Sequence, residues 1–170
     1  MKKSKKNLII ILSLALLITA GAVQGYFYWR NRDERQLRSL VSELEDMAAK
    51  RPGKSNALAL LDAATPERVF AEKIQVISDF PKVQRSFTLK ETGQLFVMMK
   101  KSCSTTGLEF SIDLITVSKE RAEISGELIF SASRTDGRRI RELRKTMLQC
   151  EKIKGKWKIS GAEFEAIIKK

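Results

Sequence analysis

At 170 residues and 19.3 kDa, the chain has the length of one domain plus a short appendage, which excludes a large multidomain enzyme. It carries 32 Lys or Arg against 20 Asp or Glu, a net charge of +12, yet 43% of its residues are hydrophobic, too many for a wholly disordered polyelectrolyte. Histidine is absent, so a histidine-dependent catalytic triad and a histidine-ligated zinc hydrolase are excluded, and with them the commonest proton shuttle at neutral pH.

Lys2, Lys3, Lys5 and Lys6 form a basic tip, and residues 7–29 carry no charge. As a helix, Leu8 to Trp29 spans about 33 Å at about 1.5 Å per residue, close to the roughly 30 Å hydrocarbon thickness of a bilayer. Tyr26, Tyr28 and Trp29 stand at its end, where amphipathic rings suit the membrane interface. A transmembrane helix over 8–29 is therefore expected. Cleavage of a signal peptide after Ala22 stays open, because Leu8 to Thr19 followed by Ala20-Gly21-Ala22 also fits a secretion pattern. The four lysines outnumber Arg30, Arg32 and Arg35 beyond the span, which places the tip, 1–7, in the cytoplasm. A linker at 30–34 and a domain over 35–170 then face the periplasm or extracytoplasmic space of a bacterial envelope.

Leu37, Leu40, Val41, Leu44, Met47 and Ala48 recur at three-to-four-residue intervals, with Arg38, Ser42, Glu45 and Asp46 on the other side. This pattern predicts a helix with one buried stripe, ending near Arg51-Pro52-Gly53. A second short helix is predicted from Ser55 or Asn56 to Ala64, and a short strand from Glu72 to Ser78. Ser86 is the expected cap of a helix whose apolar face carries Leu89, Thr92, Phe96, Met99 and Cys103, with Met98 and Met99 read as packing residues.

After Gly107 the period changes to two. Phe110, Ile112 and Leu114 alternate in one segment, and Ala122, Ile124, Gly126, Leu128, Phe130 and Ala132 in the next, across a turn at Ser118 to Arg121. Gly126 inside the second strand marks a bend or bulge, and Asp136-Gly137 a hairpin turn. Arg139 to Cys150 and Lys156 to Ile167 complete the set. The fold class is α+β, a cone of helices packed on a curved, mostly antiparallel sheet.

From Arg35 to Ile167 this order of elements resembles the nuclear transport factor 2-like, or cystatin-like, superfamily, and Gly155-Lys156-Trp157-Lys158-Ile159 looks like the last hairpin of many members. The resemblance implies a cone whose mouth can bind small molecules, on a scaffold that also serves noncatalytic assembly. Enzymatic relatives use acids, tyrosines or histidines in the cone. Here histidine is absent and no tyrosine follows Tyr28, so no catalytic residue is assigned. Asp79, Asp113 and Glu142 are the acids considered, and each reads as a solvated surface group. The tip, span and head also resemble the periplasmic assembly-factor domains of bacterial type IV secretion systems, although no motif of that system is present.

Cys103 and Cys150 are candidates for a disulfide in an oxidising compartment. Arg134, Arg138, Arg139, Arg141, Arg144 and Lys145 form a basic group around one hairpin that could contact an acidic partner. No cofactor or metal is expected. The functional expectation is a membrane-anchored, noncatalytic scaffold or protein-binding module. Its partners would be membrane lipid through the amino-terminal helix, and an envelope protein or a second copy of the chain. Nucleic acid is disfavoured outside the cytoplasm. A small-ligand-binding or enzymatic cone is the competing expectation. It would fail if Phe110, Leu128, Phe130, Trp157 and neighbouring apolar groups fill the cone.

Overall fold

The computed structural model describes residues 32–51, 65–79 and 81–166. The basic tip, the span expected at 8–29 and the helix expected between Ser55 and Ala64 lie outside the described residues. The chain divides into two compact units, Met1–Arg35 and Gln36–Lys170, and the folded head is the second. Among the described residues, no helix is long and apolar enough to cross a membrane.

Helix α1 covers 32–48, and Leu37, Leu40, Val41, Leu44, Met47 and Ala48 are all buried, the stripe predicted from their spacing. A 3-10 turn, Pro66–Arg68, leads into β1 (Phe70–Asp79), which pairs antiparallel with β2 (Lys82–Thr88). Helix α2 follows (Leu89–Ser102), then β3 (Cys103–Ser118), β4 (Arg121–Arg134), β5 (Arg139–Ile153) and β6 (Lys156–Ala166). The six strands form one sheet in the order β2-β1-β6-β5-β4-β3.

The sheet departs from the expected plan in three ways. β1 runs beyond the predicted Glu72 to Ser78 at both ends, and it pairs parallel with β6, so the sheet is mixed. Residues 82–88 form a strand instead of a helix approach. Ser86 is therefore not the cap: it sits opposite Gln75 in the β1–β2 ladder. Thr88 caps α2, its hydroxyl accepting from the Glu91 N–H while the Glu91 carboxylate accepts from the Thr88 N–H at 2.8 Å, a reciprocal capping box.

Curvature comes from ladder irregularities. In β3 the register slips between Ile112 and Leu114, leaving Asp113 as the extra residue directly beside the Ile112–Gly126 pair. Gly126 is required there, because a Cβ would lie 2.1 Å from the Ser111 carbonyl oxygen and 2.8 Å from the Phe110 ring. A second slip, opposite Gln149 and Cys150, leaves Ser160 as the extra residue on β6 and bends that strand against β5.

Helix α1 closes one edge of the curled sheet. The Phe110 N–H on β3 donates to Glu45 Oε1 at 2.7 Å, and Thr106 Oγ1 donates to the Ala48 carbonyl at 2.6 Å. Lys50 forms a bridge with Thr106, and its ammonium donates to the Lys100 and Cys103 carbonyls at 2.8 and 2.6 Å, where α2 ends and β3 begins. One lysine thus ties α1, α2 and the sheet edge together and occupies β3 backbone that would otherwise be open to another strand. The core lies between α1 and the concave face, with Val69, Ile74, Phe110, Ile124, Leu148, Trp157 and Ile159 buried beside the α1 stripe.

Candidate functional site

Among the described residues, the side chains on the concave face leave it unfilled. A cavity of about 490 Å³ lies between the sheet and the two helices, within the usual range of small-ligand sites, about 300–1,000 Å³. Its helical wall is Leu44 and Ala48 from α1, with Thr92, Leu95, Phe96 and Met99 from α2. The sheet supplies Ile74, Val76, Leu128, Phe130, Leu148, Ile159, Ala162 and Phe164, and Phe70 packs on Phe96 with ring centroids 6.0 Å apart. Leu128 and Phe130 line this space without filling it, whereas Phe110 and Trp157 are buried in the core and do not border it. The condition set for rejecting a ligand-binding cone is not met.

The periodicity explains why the wall is greasy. On α2, the Leu89, Thr92, Phe96 and Met99 face turns toward the sheet as its spacing predicts, while Cys103, expected on the same face, is the first residue of β3; Thr92 satisfies its hydroxyl by donating to the Thr88 carbonyl at 3.0 Å. Met98 is the exception to the packing reading. It is 58% exposed on the far side of the helix, while Met99 borders the cavity.

Among the described lining residues, Glu142 and Arg144 are the ionisable ones, and they pair with each other at 3.1 Å. Both lie on β5 with the parity of the buried Thr146, Leu148 and Cys150, so strand alternation turns them inward. Glu142, expected on the surface, has a side chain that is half exposed but borders the cavity. Arg144 belongs by sequence to the basic group around the hairpin, yet its side chain retains only 18% exposure. The period-two alternation carries this signal, since Arg144 and Leu148 are an even number of residues apart. The density of arginines around the hairpin hides it.

The rest of the basic group divides by face. Arg139, Arg141 and Lys145 are exposed and share the opposite parity of β5, with Lys145 opposite Glu127 on β4 and Glu165 on β6. Arg134 and Arg138 both approach Asp136 in the turn, at 3.6 and 3.8 Å. The six residues therefore do not form one contact surface. Asp79 and Asp113 are exposed, at the end of β1 and on the β3 bulge.

Cys103 and Cys150 are both buried and free. Their separation corrects the disulfide expectation: Cys103 pairs with Arg134 and Cys150 with Ala122, near opposite ends of β4. At about 3.3 Å per residue that is roughly 35–40 Å of strand, far beyond the approximately 4.4–6.8 Å between the Cα atoms of a disulfide. Burial pushes the Cys150 thiol up to about 12, which keeps it protonated and unreactive at neutral pH. No group of three or more Cys, Asp or Glu among the described residues is placed to hold a metal ion.

No protein-family model matches the chain, and no curated protein matches it in sequence. Solved structures do. A protein from Kribbella flavida superposes with a TM-score of 0.67 at 15% identity, over 81% of this chain and 92% of that one. A nuclear transport factor 2-like protein with a cystatin-like fold from Novosphingobium aromaticivorans gives a TM-score of 0.60 at 10% identity, over 82% and 84%. A nuclear transport factor 2-like protein of unknown function from Shewanella oneidensis gives 0.55 at 19% identity, over 78% and 98%. The head therefore has the nuclear transport factor 2-like, or cystatin-like, fold. At these identities the likeness extends to the fold alone.

Proposed function

We propose that this chain is a noncatalytic binding domain tethered to a bacterial membrane, holding a small hydrophobic molecule in its cone on the extracytoplasmic side. The observation that carries this reading is the apolar cavity of about 490 Å³, whose ionisable lining residues, among those described, neutralise each other. An enzymatic cone needs an acid or base aimed at bound substrate, together with donors for the charge that develops. Among the described residues, the lining carboxylate, Glu142, is engaged by the neighbouring arginine. A binding site needs shape, apolar surface and a few polar groups to orient the ligand, and those are present.

The test uses full-length protein held in peptide-stabilised discs without added lipid. Native mass spectrometry after incubation with a panel of hydrophobic compounds should show one compound retained per chain. Met99→Trp, which places a larger ring in the cavity, should lower retention at least about tenfold, the equivalent of about 1.4 kcal/mol, with the circular dichroism spectrum unchanged. A folded protein that retains no compound rules the reading out.

A second reading, a protein-binding scaffold in the envelope, is favoured by the outer face of the sheet. Leu114, 61% exposed, and Leu143 stand there among charged side chains. It predicts a discrete oligomer or a reproducibly retained partner in detergent extracts.

A further inference from the structure

We infer that the cavity is built for a single-chain amphiphile with an anionic carboxylate or phosphate head, its tail in the apolar bore and its head on Arg144. The inference rests on the ligand-binding reading and specifies which class of molecule the site takes.

Polarity in the cavity is graded along β5. Leu148 is buried and apolar, Arg144 is partly covered, and Glu142 is half exposed. On β1, which lies across β6 from β5, the gradient repeats: Ile74 is buried, Val76 and Ser78 are half-buried, and Pro81 beyond the strand end is exposed. One end of the cavity is therefore closed and greasy, and the other is open and carries the charge. A molecule that matches both ends is apolar along its length and polar at one terminus.

The sign of that terminus follows from the unequal exposure of the ion pair. Arg144 keeps 18% of its side-chain exposure, against 53% for Glu142. A half-exposed carboxylate is readily solvated, so Glu142 is the member of the pair that can turn away. An incoming carboxylate or phosphate can replace Glu142 on the guanidinium while Glu142 turns to water, which solvates the charge it carries away. The planar N–H fork of arginine matches two oxygens of either head group, which a neutral hydroxyl cannot supply. The net charge of +12 favours approach of an anion over a cation.

Equilibrium dialysis tests this with radiolabelled dodecanoate, dodecyl phosphate and dodecan-1-ol against the full-length chain in lipid-free peptide discs, with empty discs as background. At least one anion should bind about tenfold or more tighter than dodecan-1-ol, because a hydrogen bond to a charged group is stronger than one between neutral groups. The two anions differ only in head group, so their ratio shows whether the site prefers carboxylate or phosphate. Arg144→Gln should abolish the preference for the anion over dodecan-1-ol. Glu142→Gln should strengthen anion binding, and Arg141→Gln, on the outer face, should change nothing. Arg144→Lys, which keeps the charge, should retain part of the preference. If dodecan-1-ol binds as tightly as both anions, or the preference survives Arg144→Gln, the head-group inference is overturned and the ligand-binding reading stands. If none of the three binds, both fall.

Discussion

Gly126 shows how one position sets the curvature that makes a cavity possible. It stands opposite Ile112, beside the residue inserted in β3, where the Ser111 carbonyl approaches too closely for any side chain. Gly126→Ala must push that carbonyl and the Phe110 ring aside. It is expected to cost about 1–3 kcal/mol, as overpacking does in a close-packed interior. Urea unfolding measures this, and an unchanged midpoint would show that the bulge relaxes freely. The glycine and its role in bending the sheet were legible in the sequence, because a glycine inside a two-residue alternation gives up a packing side chain and so marks a bend or a close backbone approach. Its partner across the ladder was not, because strand register is a property of two segments that sequence alone does not align.

At the scale of elements, α2 begins where a reciprocal cap can form. Thr88 and Glu91 exchange hydrogen bonds, and the Thr88 N–H, more than its hydroxyl, holds the Glu91 carboxyl below its ordinary carboxylate range. A carboxyl lowered in the folded state stabilises the fold above its ordinary value, and that contribution is lost as pH falls through the lowered value. Glu91→Gln should therefore lower the unfolding midpoint at neutral pH and converge on the parent protein on acidification below the carboxylate range. A difference that persists in acid would assign the effect to packing. Thr88→Ala should cost about 1 kcal/mol, as loss of an N-terminal cap does. The Ser86 expectation failed because β2 has weak alternation, with Arg85 over the Phe87 ring at 5.0 Å, and because only pairing with β1 makes it a strand. Propensity recognises a helix start, but it cannot choose between capping residues two apart when the preceding segment's partner is unknown.

For the whole molecule, the tethering expectation is separable from the fold. Cell fractionation should leave the full-length chain in the membrane pellet through salt and alkaline washes and release it with detergent, whereas a chain lacking residues 1–31 should not be held there. Recovery of the intact chain in a detergent-free aqueous fraction would defeat the anchoring reading. Cross-linking and light scattering on the detergent extract would also show whether the exposed Leu114 and Leu143 face serves a second copy or another protein. A strictly monomeric chain with no retained partner would remove the scaffold reading and leave the cavity as the function-bearing feature.

The buried stripe of α1, the inward face of α2 and the strand turns were determined by the sequence alone, because each depends on spacing within one element. The class of fold followed from their order. Only the tertiary structure decided that β1 joins β6 in parallel, that Cys103 and Cys150 lie far apart, and that Arg144 leaves the basic hairpin to face the cavity. Those outcomes depend on which segments become neighbours when the sheet closes. Apolar burial drives that closure, but it carries no label for partners distant in the chain. The unfilled cone is likewise collective: every wall residue is the sort expected in a core, and the space between them arises only when the sheet's curvature holds them apart.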